Sequence, residues 1–221
     1  MSVEELPASV AVIVKALRRE ARGIVDDGGS WHSVIDGFRP YTNKIWARLD
    51  VAEKRRYLRH LRPYWDIHRH RMAPEVAQRV ARLCCEGRVI PHAARISDVV
   101  RKVDGMLEIE IRERSTGKTR KLRAGSTINC TGPECDYRKI DQPLIRDLFE
   151  QGIAAQDPSS LGLLTSDRGA LIGRDGTPSR VFFTIGPPRK GTLFETTAMR
   201  EISVQAQSLA QWLLADSRRS A

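Results

Sequence analysis

Apolar positions in the first 87 residues recur at helical spacing. Val10, Ile13, Val14, Leu17, Ala21 and Ile24 follow the i, i+3, i+4, i+7 rule and predict an amphipathic helix from Ser9 to Asp26, closed by Gly28-Gly29. A short helical turn at Trp31–Asp36 and helices at Tyr41–Leu49 and Val51–Arg62 follow. Asp50 stands at the N-cap of the last and Glu53 completes a capping box. Pro63 is expected to end that helix, Tyr64–Arg71 to be a connection, and Pro74 to open a further helix that runs to Glu86-Gly87.

At Arg88 the period changes from helical to alternating. Val89-Ile90-Pro91-His92 reads as a short strand. Arg95–Val103, Leu107–Arg114 and Thr119–Arg123 read as a three-stranded meander, turned at Asp104-Gly105 and Ser115-Thr116-Gly117-Lys118. The meander is expected to feed a strand at Ser126–Pro133 that stops in Thr131-Gly132-Pro133. Beyond it lie a helix at Pro143–Gln151, a Gly-rich passage with extended pieces at Leu161–Leu164 and Ala170–Ile172, and a strand at Arg180–Ile185. That strand stops in Gly186-Pro187, and a last helix spans about Thr196–Ala215. Three regions follow: a helical region over 1–88, a short strand and meander over 89–125, and an α/β part over 126–221.

Charge and cysteine content narrow the classes. The net charge is +10, with +6 in residues 1–88 and +4 in the rest, so the excess is spread along the chain. A spread excess favours a solvated basic surface or a small anionic ligand over a nucleic-acid stripe. The helix face Lys54–Arg62 is basic with Tyr57 interleaved, which suits an anion or RNA, but Tyr57, Leu58 and Leu61 equally fit core packing. Cys84, Cys85, Cys130 and Cys135 give no C-x-x-C metal pair. The acidic start and the lack of a long apolar run point to a cytoplasmic protein outside any membrane.

Candidate chemistry concentrates at the two Gly-Pro stops. Thr131, Gly132 and Pro133, Ile185, Gly186 and Pro187, and the Gly191-Thr192 segment before the last helix would present backbone amides and a positive helix end to an electron-rich group. Two ordinary turns and a capped helix would read the same way. Asp66-Ile67-His68-Arg69-His70 sets three possible metal ligands at alternate positions, which share a face only in an extended segment. No Walker loop, nucleophile elbow, H-E-x-x-H or G-x-G-x-x-G is present.

Three separated segments carry a resemblance. Trp65–Pro74 (Trp-Asp-Ile-His-Arg-His-Arg-Met-Ala-Pro), Asn129–Glu134 with Asp136-Tyr137, and Gly191–Ala198 (Gly-Thr-Leu-Phe-Glu-Thr-Thr-Ala) resemble the poorly characterised bacterial FAD/NAD(P)-binding proteins, of the two-dinucleotide-binding-domain flavoprotein type. The resemblance runs from about Leu6 to Leu214. It implies an α/β, incomplete Rossmann-like FAD/NAD(P)-binding fold with a helical N-terminal region and an inserted antiparallel meander. The implied function is the C-terminal portion of an oxidoreductase, contributing the flavin-side wall of an FAD site, with NAD(P)H left open as a second nucleotide.

The sequence departs from that pattern in two places. The Gly-rich pyrophosphate turn is missing, so the resemblance implies that FAD is not fully held by this chain alone, and that a separate N-terminal nucleotide-binding chain is a candidate partner. Pro187 stands where many flavoproteins have an Asp, leaving backbone contacts around Thr131, Gly132, Ile185, Gly186 and Thr192. The alternative reading is a non-catalytic basic module for nucleic acid or an acidic partner.

Overall fold

The computed structural model describes residues 8–217. Within that range, 8–70 and 134–217 form one compact unit and 71–133 form another.

The first unit begins with α1 (Val10–Asp26), which closes where Gly28, at φ 79°, lets the Gly28 and Gly29 amides bond back to Val25 and Ile24. The N-cap Ser9 makes no side-chain bond; the Val10 amide instead donates to Glu53 Oε2 at 2.6 Å. Glu53 lies in α4 (Val51–His60), and its own amide donates to Asp50 at 2.8 Å. The capping residues of one helix thus also anchor the start of another.

Between them run α2 (His32–Phe38), a 3-10 turn and α3 (Thr42–Arg48). Trp46, Phe38 and Ile45 meet Val10 and Ile13 of α1, and Leu161 and Phe194 from the second half of the sequence complete this core. Truncating a buried aromatic such as Trp46 in such a core costs about 3–5 kcal/mol.

The helix expected to end at Pro63 does end just before it, at His60, but Pro63 also begins another. Arg62–Arg69 forms α5, with Pro63 in its first turn, where a missing N–H removes no hydrogen bond, and the Trp65 amide donates to the Leu61 carbonyl. The expected connection at Tyr64–Arg71 is therefore mostly helical. At about 100° per residue His68 is turned to the opposite side of α5 from Asp66, so the three possible ligands Asp66, His68 and His70 do not all share one face.

Later in the same unit, α7 (Pro143–Glu150) packs Leu148 on Ala154, Leu163 and Leu171. The small antiparallel sheet of β4 (Ala170–Ile172) and β5 (Pro178–Phe183) leads to α8 (Met199–Ser217). The last helix starts at Met199, three residues beyond the expected Thr196, because Glu195 and Thr196 bond to other parts of the chain.

The second unit contains α6 (Pro74–Cys85) and the meander β1 (Ala94–Arg101), β2 (Leu107–Glu113) and β3 (Thr119–Ala124), in order β1-β2-β3. Register places Ile96 opposite Ile111, Val99 opposite Ile109, and Ile109 opposite Leu122. On the other face Glu108 takes Lys102 and Lys121, each at 3.0 Å.

Two expected strands do not form. At Val89–His92 the Arg88 and Val89 amides close α6 on the Leu83 carbonyl, and Pro91 has no amide to offer a ladder. Ser126–Pro133 forms no strand after β3, with Ile128 86% exposed. The molecule is thus mixed α and β, and both sheets among the described residues are antiparallel.

Candidate functional site

The chain leaves β5 through Ile185 and turns at Gly186, whose φ of 74° and ψ of −141° approach the region open only to glycine. The turn is held from all sides. Its amide donates to Gln205 Oε1 at 3.1 Å, its carbonyl accepts from Thr196 Oγ1 at 3.1 Å, and Gln205 Nε2 donates to Thr196 Oγ1 at 2.8 Å. Thr196 is 1% exposed.

Pro187 is exposed and opens a 3-10 turn that delivers Arg189 into the interior, where the side chain is 3% exposed. Its guanidinium donates to the Ser166 carbonyl at 3.2 Å, the Asp167 carbonyl at 2.7 Å and Gln205 Oε1 at 3.2 Å. Burial pushes the Arg189 pKa down and the Asp167 carboxylate opposes that shift. An arginine starts so far above neutrality that it stays a cation, and its planar fork suits several carbonyls at once.

Gly191 and Thr192 follow directly. Trp46 Nε1 donates to the Gly191 carbonyl at 2.7 Å, and the Thr192 hydroxyl meets that of Thr165 at 3.0 Å. A methyl group on Gly191 would collide with the buried carboxyl of Asp157. The Gly186 and Thr192 amides both bond within the protein, the latter to the Arg189 carbonyl at 2.9 Å.

The segment Gly191–Ala198 is also fastened to the helical half. Asn43 of α3 accepts from the Glu195 amide at 2.8 Å and donates to its carbonyl at 3.0 Å, while Arg69 of α5 pairs with its carboxylate at 3.3 Å. Arg39 pairs with Glu201 at 2.8 Å; burial works against ionisation of Glu201, but its own amide and Arg39 outweigh that and hold its pKa low. Tyr57 stands edge-on to Phe194, and burial, reinforced by Asp66 and Glu195, drives its pKa up. Lys54, over the Trp46 ring, has its pKa lowered by burial, with Asp157 opposing.

Thr131, Gly132 and Pro133 belong to the other unit. All three are exposed, and Asn129 Oδ1 accepts from the Thr131 amide at 3.0 Å and hydroxyl at 2.7 Å. Gly132 has φ 84° and open space where a side chain would stand. The sequence-derived site residues therefore fall into two groups: Ile185, Gly186, Pro187, Gly191 and Thr192 in one braced loop, and Thr131–Pro133 in a separate exposed turn.

Taken one unit at a time, the two stops differ in the room they leave for a planar ring. Gly132 stands in open space, whereas the space beside Gly186 and Gly191 is filled by Ile202 and Asp157 of the chain itself. At the second stop Pro187 is exposed and Thr192 half-buried. Among the described residues no cluster of His, Cys, Asp or Glu could hold a metal ion, and no helix is long and apolar enough to cross a membrane.

Sequence reasoning missed Gln205, Asn43 and Asp157, and placed Arg189 in the segment before the last helix without a signal of its burial. Gln205 carried a usable signal, since it sits three residues after Ile202 and four before Leu209, inside the apolar stripe of α8. Arg189 carried none, because a basic residue in a Pro-rich turn reads as solvated. No protein-family profile, curated protein or solved structure matches the chain.

Proposed function

We propose that this chain supplies the flavin-side wall of an FAD/NAD(P)-binding oxidoreductase, as the C-terminal portion of a Rossmann-like fold, with a separate nucleotide-binding chain as a candidate partner. The observation that carries the reading is the Arg69–Glu195 pair at 3.3 Å, together with the two Asn43 bonds. It ties the Trp65–Pro74 segment to the Gly191–Ala198 segment, two of the three stretches that resemble flavoproteins, although they lie 126 positions apart. A pair only 14% and 17% exposed fixes the loop more firmly than a solvated one would.

In this reading FAD supplies hydride or electron transfer, and the protein orients the ring. Within the first unit the Arg189–Gln205–Thr196 network keeps the Gly186 turn, and with it Pro187, from moving; within the second, Gly132 stands in open space. A cytoplasmic location belongs to the same proposal.

Titration with riboflavin and FAD tests it, read by flavin fluorescence. A wall that meets only the ring binds both with similar, roughly millimolar affinity, about −4 kcal/mol. Adding a nucleotide-binding partner chain tightens FAD alone. Absence of any flavin response at millimolar concentration overturns the proposal. The second reading, a basic module for nucleic acid or an acidic partner, draws on the +10 charge, and polynucleotide binding that weakens steeply with salt would favour it.

A further inference from the structure

The helical part of the first unit encloses a space that the flavin reading does not use. An apolar cavity of about 470 Å³ lies among α1, α2, α3 and α5, walled by Ile13, Leu17, Trp31, Phe38, Trp46 and Trp65. Small-molecule sites typically span roughly 300–1,000 Å³ and are mostly apolar with a few placed polar groups. Aromatic walls of this kind hold hydrocarbon or aryl surface by area burial, at about 25 cal/mol per Å².

The cavity does not end in neutral surface. A groove along the outer side of α1 shares Val10, Val14, Arg18 and Leu61 with it and is further lined by Lys15, Arg19 and Arg22. Arg18 thus borders both spaces. Asp26 is the acid in the groove lining, and Arg56, also there, is already paired with Glu53 at 2.6 Å.

No acidic side chain among the described residues pairs with Lys15, Arg18, Arg19 or Arg22. These four stand at i, i+3, i+4 and i+7 of α1, where like charges one turn apart weaken a helix by a few tenths of a kcal/mol per pair. An anion placed there would relieve that repulsion.

We propose that this unit binds an amphipathic carboxylate, with its hydrocarbon or aryl body in the cavity and its anionic head at Arg18 on the basic rim. Charge complementarity selects this occupant. A neutral amphiphile would leave the cationic row uncompensated, and a second copy of a chain carrying +10 would bring more positive charge to it. A polynucleotide would neutralise the row but leave the cavity unfilled. The site is independent of the flavin reading, because filling it requires no FAD and a failure to bind flavin leaves it unaffected.

Decanoate and decanol are the probes. Trp31, Trp46 and Trp65 line the cavity, whereas Trp212 lies beside Phe183, so three of the four tryptophans report occupancy through their emission. Decanoate is expected to bind saturably, more tightly than decanol. Arg18→Glu, at an exposed position, weakens decanoate about tenfold and leaves decanol unchanged. Val34→Trp, which fills the cavity, abolishes both, with circular dichroism confirming that the variant is folded.

Equal affinity for the two probes, indifference of decanoate to Arg18→Glu, or no saturable binding to the folded protein would overturn the proposal. So would a dimer, seen by sedimentation, from which decanoate is excluded.

Discussion

The two Gly-Pro stops are nearly the same local text and become opposite structures. Thr131-Gly132-Pro133 is an exposed turn held by Asn129, two residues before Thr131, and Gly132 faces open space. Ile185-Gly186-Pro187 is held by partners distant in the chain, Thr196 and Gln205, with Arg189 buried directly beneath it. A glycine at a strand end therefore says that the backbone turns, but not whether the turn is adaptable or fixed.

Replacing Arg189 should separate the two stops most sharply. Arg189→Met leaves the Ser166 and Asp167 carbonyls and the Gln205 oxygen short of a charged donor, so a loss of about 3–5 kcal/mol in unfolding free energy is expected from urea denaturation. A loss below about 1 kcal/mol would mean that the second stop does not depend on its buried cation.

Alanine at the two glycines compares them directly. Gly186→Ala adds a methyl 3.3 Å from Ile202 in a backbone region that disfavours side chains and should cost about 2–4 kcal/mol. Gly132→Ala, also at positive φ but with nothing within 4 Å, should cost about 1 kcal/mol. Equal costs would erase the distinction between a fixed and an adaptable turn.

Thr196→Val removes the hydroxyl that links the Gly186 carbonyl to Gln205 and should cost about 1–2 kcal/mol by thermal unfolding. Asn129→Ala, which frees an exposed turn, should change stability by no more than about 0.5–1 kcal/mol while raising amide exchange at Thr131.

The smallest effect concerns pH, just after the first stop. Arg138 hydrogen-bonds Asp136 and holds its carboxyl below the usual carboxylate range. A depressed pKa contributes stability that is complete above the unfolded value of about 3.9 and is lost as pH falls through the lower folded value. Asp136→Asn should therefore lower stability slightly at neutral pH, where that contribution is complete, and flatten the acid limb, so that variant and parent converge below the folded pKa in acid denaturation curves.

Helix positions were legible because α1, α4 and α6 carry their period, caps and stops within their own sequence. Asp50 capped α4 as its spacing indicated, Gly28 closed α1, and the Asp104-Gly105 and Gly117-Lys118 turns placed the three meander strands. Pro63 was ambiguous because proline both ends one helix and begins the next, and only the position of Leu61, whose amide bonds to Tyr57 and whose carbonyl receives Trp65, resolves it.

By itself the sequence determined the helical segments other than α5, where the meander turns, and that glycines stand at both stops, since these follow from local spacing and backbone freedom. It did not determine that Ser126–Pro133 forms no strand, because a strand needs a neighbour in a ladder. Nor did it show that Arg189 is buried, that Arg69 meets Glu195, or that an apolar cavity meets a row of cations on α1. Those features join residues distant along the chain, so only the tertiary structure decided them.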